Sequence, residues 1–437
     1  MRKRWAAGII GAAVIGLWQG GAMAASCAGD CDGNETVTVD DLVKGVTVAL
    51  GSATVDTCAS LDADGDGTVS IAELIRAVGY LLEGCPVTPT TAGIVFNGED
   101  NRLHAYQPGP GFARATVIPS SRDEPGTGRD INAQICFTRG SRGELRFIAG
   151  EDTGQGPTHA TAGWGLFELT GSFPDYGWRQ VNKFVPTYQS GEEAENYGCG
   201  FLSDGRLLTT DVGNQAAGPG SGQLIVWFPP LDGSGGARYC KLDVELGTAQ
   251  QIAVDDQDRV YVAAARTTSN SLAGVYRYSG PFPTSDGAAG GCGRVDPTGA
   301  PLVSEGRITK ERFIPSDGNA QTPNGVVLIP GGGFYVSSVI NGVIAQYDAD
   351  GKFVRRVLSP PRPGIPAETG NPLGIGLASD GTLYFADIGL RLYPGGGIGP
   401  GSKTGGVRRI RFVNGEPQPP ATMDTGLNFP DGIGILE

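Results

Sequence analysis

Pro372-Leu373-Gly374-Ile375-Gly376-Leu377 runs into Thr382-Leu383-Tyr384-Phe385-Ala386-Asp387, and Pro323-Asn324-Gly325-Val326-Val327-Leu328 runs into Gly333-Phe334-Tyr335-Val336. Each reads as two short apolar strands joined through a turn, because strand-forming runs bounded by Gly, Pro and Asp signal a hairpin. Ala249-Gln250-Gln251-Ile252-Ala253-Val254 with Val260-Tyr261-Val262 is a third copy, and Asn196-Tyr197-Gly198-Cys199-Gly200-Phe201 with Leu207-Leu208 a fourth. Residues 132–137 with 145–148 form a less regular fifth. The sixth copy is divided between the ends: Pro430-Asp431-Gly432-Ile433-Gly434-Ile435 has no second strand after it, and residues 93–96 and 103–106 have no first strand before them. Ring closure accounts for both, since pairing the last strand with the first ones removes an exposed sheet edge. Residues 92–437 are therefore predicted to form a mainly β, six-bladed β-propeller. Two stacked sheets have equally short strands but leave the divided copy unexplained.

The recurring Pro-x-Gly-Ile and Asp-Gly-x-Leu-Tyr-x-Ala-Asp stretches resemble the NHL and gluconolactonase-like six-bladed propellers. In such a ring the first strand of each blade lines the channel, which places Ala133, Tyr197, Gln250, Asn324, Leu373 and Asp431 near the axis. Asn324 and Asp431 stand in Pro-Asn-Gly and Pro-Asp-Gly settings that resemble two metal-ligand positions of gluconolactonase-like enzymes. The resemblance implies a channel calcium ion that polarises a lactone carbonyl and positions water, with Asp431 as its ligand or as catalytic base. Gln250, Asn132 and Asn196 offer further neutral oxygens for that ion. The same side chains also read as acceptors of backbone hydrogen bonds at crowded axial turns. Gly-rich insertions at 152–163, 213–222 and 395–406 read as binding loops on a rigid ring. Two functions stay open: an extracellular ligand- or partner-binding scaffold, and a calcium-dependent lactonase-like hydrolase.

Ahead of the repeats lies Asp62-Ala63-Asp64-Gly65-Asp66-Gly67-Thr68-Val69-Ser70-Ile71-Ala72-Glu73. Asp62, Asp64 and Asp66 set carboxylates at positions one, three and five of a calcium loop, and Gly67 permits the sharp turn. Thr68 offers its carbonyl, Ser70 acts through water, and Glu73 closes the site with two oxygens. A weaker copy offers Asp30, Asp32, Asn34, Thr36, Thr38 and Asp41 in the same order, with Glu35 in place of the turn glycine. Each loop leads into an apolar helical stripe, Val39, Leu42, Val43, Val46 and Leu50 in one and Ile71, Leu74, Ile75, Val78 and Leu82 in the other. The two stripes are expected to bury each other. This duplicated loop-helix unit, residues 26–85, resembles the dockerin family, and the resemblance implies a cohesin-like protein partner. It departs from that family at Val39-Asp40 and Ile71-Ala72, where dockerins often carry Ser-Thr.

Arg2, Lys3 and Arg4 precede an apolar run from Trp5 to Trp18 and a small-residue site at Ala22-Met23-Ala24. That order reads as a secretory signal peptide, residues 1–25, because the run is shorter than the roughly 20 residues a membrane helix needs. No later segment could span a membrane, so the protein is expected to be secreted, extracellular or periplasmic. Pro86-Val87-Thr88-Pro89-Thr90-Thr91 reads as a linker. A net charge of -13 argues against nucleic acid and anionic lipid as partners; a carbohydrate partner stays open. The 8 cysteines fall into two groups of four, Cys27, Cys31, Cys58 and Cys85, then Cys136, Cys199, Cys240 and Cys292, which suggests disulfides of open connectivity. With only 2 histidines, His104 and His159, histidine metal centres and serine-histidine triads have little material.

Overall fold

A computed structural model describes residues 28–32, 37–62, 66–83, 93–109, 112–151, 163–188, 196–212, 222–265, 273–287, 290–360, 370–394 and 398–437. The chain divides into two compact units, Met1–Thr88 and Pro89–Glu437.

The second unit is a six-bladed propeller of four-stranded antiparallel blades. From the axis outward, blade 1 consists of Ile433–Leu436, Ile94–Glu99, Arg102–Tyr106 and Arg114–Ile118. The last strand of the chain thus pairs with the first of the propeller, Ile94 opposite Leu436 and Asn97 opposite Ile433. The inner strands of blades 2 to 6 are Ile131–Arg139, Asn196–Phe201, Thr248–Val254, Pro323–Leu328 and Pro372–Leu377. Blade 3 is extended by Pro301–Leu302 and Arg294–Val295.

Alternation along the strands gives every blade two apolar faces, and each is buried against a neighbouring blade. Six apolar clusters result, one at each junction. At the junction of blades 2 and 3, Trp164 and Trp227 are fully buried with ring centroids 6.2 Å apart. The Cys136–Cys199 disulfide ties the inner strands of the same two blades, and Cys240–Cys292 pins the blade 3 insertion.

The inner strands of blades 2 to 6 share one irregularity. Their register slips between Asn132 and Cys136, Asn196 and Cys199, Ala249 and Ile252, Pro323 and Val326, and Pro372 and Ile375. Such a bulge leaves residues outside the ladder and re-aims their side chains, here at the channel. Glycine follows the axial residue where the backbones touch: a Cβ on Gly374 would lie 2.3 Å from the Asp431 carbonyl oxygen. Only a residue without one fits.

In the first unit, α1 (Val39–Ala49) and α2 (Ile71–Glu83) flank a 3-10 segment, Val55–Leu61. The expected mutual burial of the two stripes does not occur. Val39, Val43 and Val46 on α1, Leu50 at its C-terminal cap, and Ile71, Ile75, Val78 and Leu82 on α2 are all exposed. The core is Val37, Val48, Cys58, Leu61, Val69 and Ala77, with Leu42 and Leu74 partly buried against it. The physical reason is Leu61: this fully buried side chain sits against the helices at Gly45, where a Cβ would be 2.6 Å from its Cδ1. The helices therefore face the core with their small residues, Gly45 and Ala77, and turn the stripes outward. Cys31–Cys58 closes this core covalently. No described helix is long and apolar enough to cross a membrane.

Candidate functional site

The bulges bring Asn132, Asn196, Gln250 and Asn324 to one cavity of about 330 Å³ at the channel mouth, where they meet Asp431, just ahead of the blade 1 inner strand, together with Tyr197 and Leu373. Ala133 is the exception among the expected axial residues. The blade 2 bulge holds more residues than the others, puts Ala133 in a left-handed conformation (φ 67°), and presents Asn132 to the cavity instead.

These polar groups stitch the ring. The Asp431 carboxylate accepts the Ala133 N–H at 2.8 Å, joining blades 1 and 2, and the Gly432 N–H at 2.7 Å. Asn196 donates to Asn132 Oδ1 at 3.5 Å between blades 2 and 3, and Asn324 Nδ2 to Gln250 Oε1 at 2.5 Å between blades 4 and 5. Asn324 Oδ1 also accepts the Val339 N–H. Thr210 and Ser337, at equivalent places on the second strands, donate to the Gln250 and Leu373 carbonyls and so close blades 3 to 4 and 5 to 6. Gly374 N–H donates to the Asp431 carbonyl at 2.9 Å and closes blades 6 to 1. All six junctions are thereby bridged.

Beneath this ring two glutamines act as peptide surrogates, one carbonyl and one amide each. Gln134 Oε1 accepts from Cys199 and Ile252 N–H while its Nε2 donates to the Ile252 carbonyl. Gln251 pairs in the same two-sided way with Ile375. Blades 2 and 4, and blades 4 and 6, are thus linked across the channel.

Two carboxylates at the mouth are missing from the sequence reading, Glu99 and Asp100. Glu99 ends the second strand of blade 1, the blade that also carries Asp431. It is buried and accepts Asn428 N–H at 2.6 Å and His104 Nε2 at 3.3 Å. Burial pushes its carboxyl up, but the His104 and Asn428 hydrogen bonds and the Arg102 charge outweigh that and hold it below the usual range. The signal was present: Asp387 occupies the equivalent strand end in blade 6, where it accepts Asn371 N–H at 2.8 Å. Glu99 and Asp387 each clamp the chain just before an inner strand.

At the calcium-type loops, Asp64, Asn34 and Thr36 lie outside the described residues, as do His159 and the insertions 152–162 and 213–221. Asp62 accepts the Asp66 and Gly67 N–H groups at 3.0 and 2.9 Å. The Thr68 hydroxyl and amide donate to Asp66 and hold its carboxyl below the usual range. The last loop residues cap the helices that follow: Asp41 accepts from Thr38 at N–H and hydroxyl, and Glu73 accepts the Ser70 N–H at 2.7 Å. Asp30 and Asp32 belong to the same first loop, near Cys31. Among the described residues no three His, Cys, Asp or Glu side chains converge as metal ligands. The all-oxygen loop set suits calcium. At the channel, by contrast, Asn324 Oδ1, Gln250 Oε1, Asn132 Oδ1 and both Asp431 oxygens already accept protein hydrogen bonds.

No family model matches the chain, and no curated protein is significantly similar. Solved structures similar to it include a luciferin-regenerating enzyme, at 12% identity over 79% of this chain and 97% of that one, TM-score 0.45. A candidate gluconolactonase aligns at 15% identity over 68% and 82%, TM-score 0.40. The calcium-binding protein regucalcin from Agrobacterium tumefaciens aligns at 15% over 66% and 75%, TM-score 0.39. The six-bladed architecture rests on the strand pairing itself, and these similarities carry no chemistry to this chain.

Proposed function

We propose that the protein is an exported, calcium-stabilised scaffold whose propeller binds a small ligand at the channel mouth. The observation that carries this reading is the cavity of about 330 Å³, at which polar side chains from five blades meet an apolar wall, as ligand pockets require. Three disulfides among the described residues suit an oxidising compartment, extracellular or periplasmic, and residues 1–25 supply the signal for export. Residues 26–85 form a dockerin-like calcium module and 86–91 a linker. The exposed stripes of α1 and α2 support docking of that module to a protein, of which a cohesin-like partner is the first to try; a carbohydrate is the alternative partner of the propeller. The test is thermal unfolding of the mature chain against a panel of small metabolites, with and without calcium. A melting temperature that no compound raises removes the ligand-binding role.

A second reading, a calcium-dependent lactonase-like hydrolase, is favoured by one arrangement: Asp431, Glu99 and Asn324 border the same cavity. Asp431 is then ligand or base, and Asn324, Gln250, Asn132 and Asn196 supply neutral oxygens after giving up bonds within the ring. Turnover of a broad lactone panel, lost in Asp431→Asn with the fold intact, decides for it. A silent panel in excess calcium decides against it.

A further inference from the structure

Charge is distributed unevenly around the cavity. Its three carboxylates, Glu99, Asp100 and Asp431, all belong to blade 1, and no Lys, Arg or His lines it among the described residues. Arg102 approaches Asp100 at 3.1 Å and Glu99 at 3.9 Å but is absent from the lining, so it holds both carboxylates from outside. Three blades round the ring, blade 4 offers only the neutral Thr248, Gln250 and Ala265. Blades 3, 5 and 6 supply the apolar Val212, Val339, Leu373 and Ile388, which belong to one buried cluster.

A ligand must answer all three surfaces. An anion would meet three carboxylates at the cavity face, with Arg102 and Arg122 reaching Asp100 and Glu99 only from outside the described lining, and like charges at close range in a partly dry site repel. A polyol would leave the apolar wall uncovered. A compact apolar body carrying one positive group satisfies both walls at once: the body covers the blade 5 and 6 side chains while the charge faces blade 1.

We propose that the cavity selects compact amphiphilic organic cations, an ammonium on an alicyclic or aromatic body, over their neutral and anionic isosteres. This rests on the reading of the cavity as a ligand site and gives that site its ligand class.

The experiment is titration calorimetry on the full mature chain in calcium-free buffer with three isosteres: cyclohexylmethylamine, cyclohexylmethanol and cyclohexanecarboxylate. The amine is expected to bind about tenfold or more tightly than the alcohol, with the carboxylate weakest, and the preference is expected to shrink as salt rises. Asp100→Asn is the first variant, because Asp100 has a left-handed backbone (φ 44°) that Asn also adopts. Glu99→Gln, which keeps an acceptor for Asn428 N–H, is the second. Each is expected to cut the amine-to-alcohol ratio about threefold or more while leaving alcohol binding in place. Alcohol binding as tight as amine binding, or tightest binding of the carboxylate, overturns the proposed selectivity and leaves the cavity a ligand site. Amine binding untouched by the two substitutions combined overturns the placement of the charge at blade 1. If none of the three compounds binds, the ligand-site reading falls, and the selectivity with it.

Discussion

The calcium-type loops and the channel mouth use the same residue types, Asp and Asn beside Gly, in opposite ways. In the loops the carboxylates bond to their own neighbours: Asp62 reaches the amides of Asp66 and Gly67, and Asp66 reaches Thr68. At the mouth Asp431 accepts from Ala133, 298 positions away, and Asn324 donates to Gln250, 74 positions away. A local bond would be remade within the same few residues were an ion to bind. A bond between blades holds the ring, and removing it leaves buried groups unpaired. Short acidic motifs are therefore free to take an ion where their bonds are local and become structural where their bonds are long-range.

The harshest break of this comparison is deletion of 429–437. Blade 1 loses its inner strand, and Ile94–Glu99 becomes an open edge. Aggregation or loss of the cooperative unfolding transition is expected by size-exclusion chromatography and circular dichroism. A monomeric, well-folded truncation would show that the closure is dispensable.

Paired substitutions at the two sites come next. Asp431→Ala orphans two buried N–H groups, Ala133 and Gly432, and should cost about 2–4 kcal/mol in denaturant unfolding, equally with calcium or EDTA. Asp62→Ala should change the calcium-free transition little but remove most of the stabilisation calcium gives to the helical unit. Equal calcium dependence in both variants erases the distinction between local and long-range carboxylates.

A smaller effect concerns acid. Because the Glu99 carboxyl is held low in the folded protein, its contribution is complete above the ordinary glutamate value of about 4.3 and fades as pH drops below it. Glu99→Gln should flatten the acid limb of the stability profile from about pH 4 downward, and unchanged steepness there would mean that other carboxylates carry it. The smallest effect is expected at the exposed stripes. Val43→Ser with Ile75→Ser should alter stability by no more than about 0.5 kcal/mol per site, as for surface positions. A loss of several kcal/mol would restore the mutually buried helix pair.

Periodicity made most of the propeller legible. The divided sixth copy identified the closing strand, and the common start of each inner strand identified most channel residues, because in blades 3 to 6 the bulge falls at the same place in the blade. Blade 2 has a bulge one residue longer than the others, and there the expected axial residue was displaced by one position. Glu99 was missed because its blade partner, Asp431, stands at the other end of the chain. The helical stripes were expected to bury each other and are instead largely exposed, since hydrophobic spacing reports a face and not what covers it.

Sequence alone determined the number of blades and the closure of the ring, both of which are set by local patterns of apolar strands and turns. Tertiary structure decided which helix faces are buried, through Leu61 meeting Gly45 and Gly29 meeting Ala77. It also decided that the axial Asp and Asn residues hold blades together, and that three carboxylates share one side of a cavity. The physical reason is common to these outcomes: burial and hydrogen-bond partners are properties of residues distant in sequence, and only the folded chain brings them within reach.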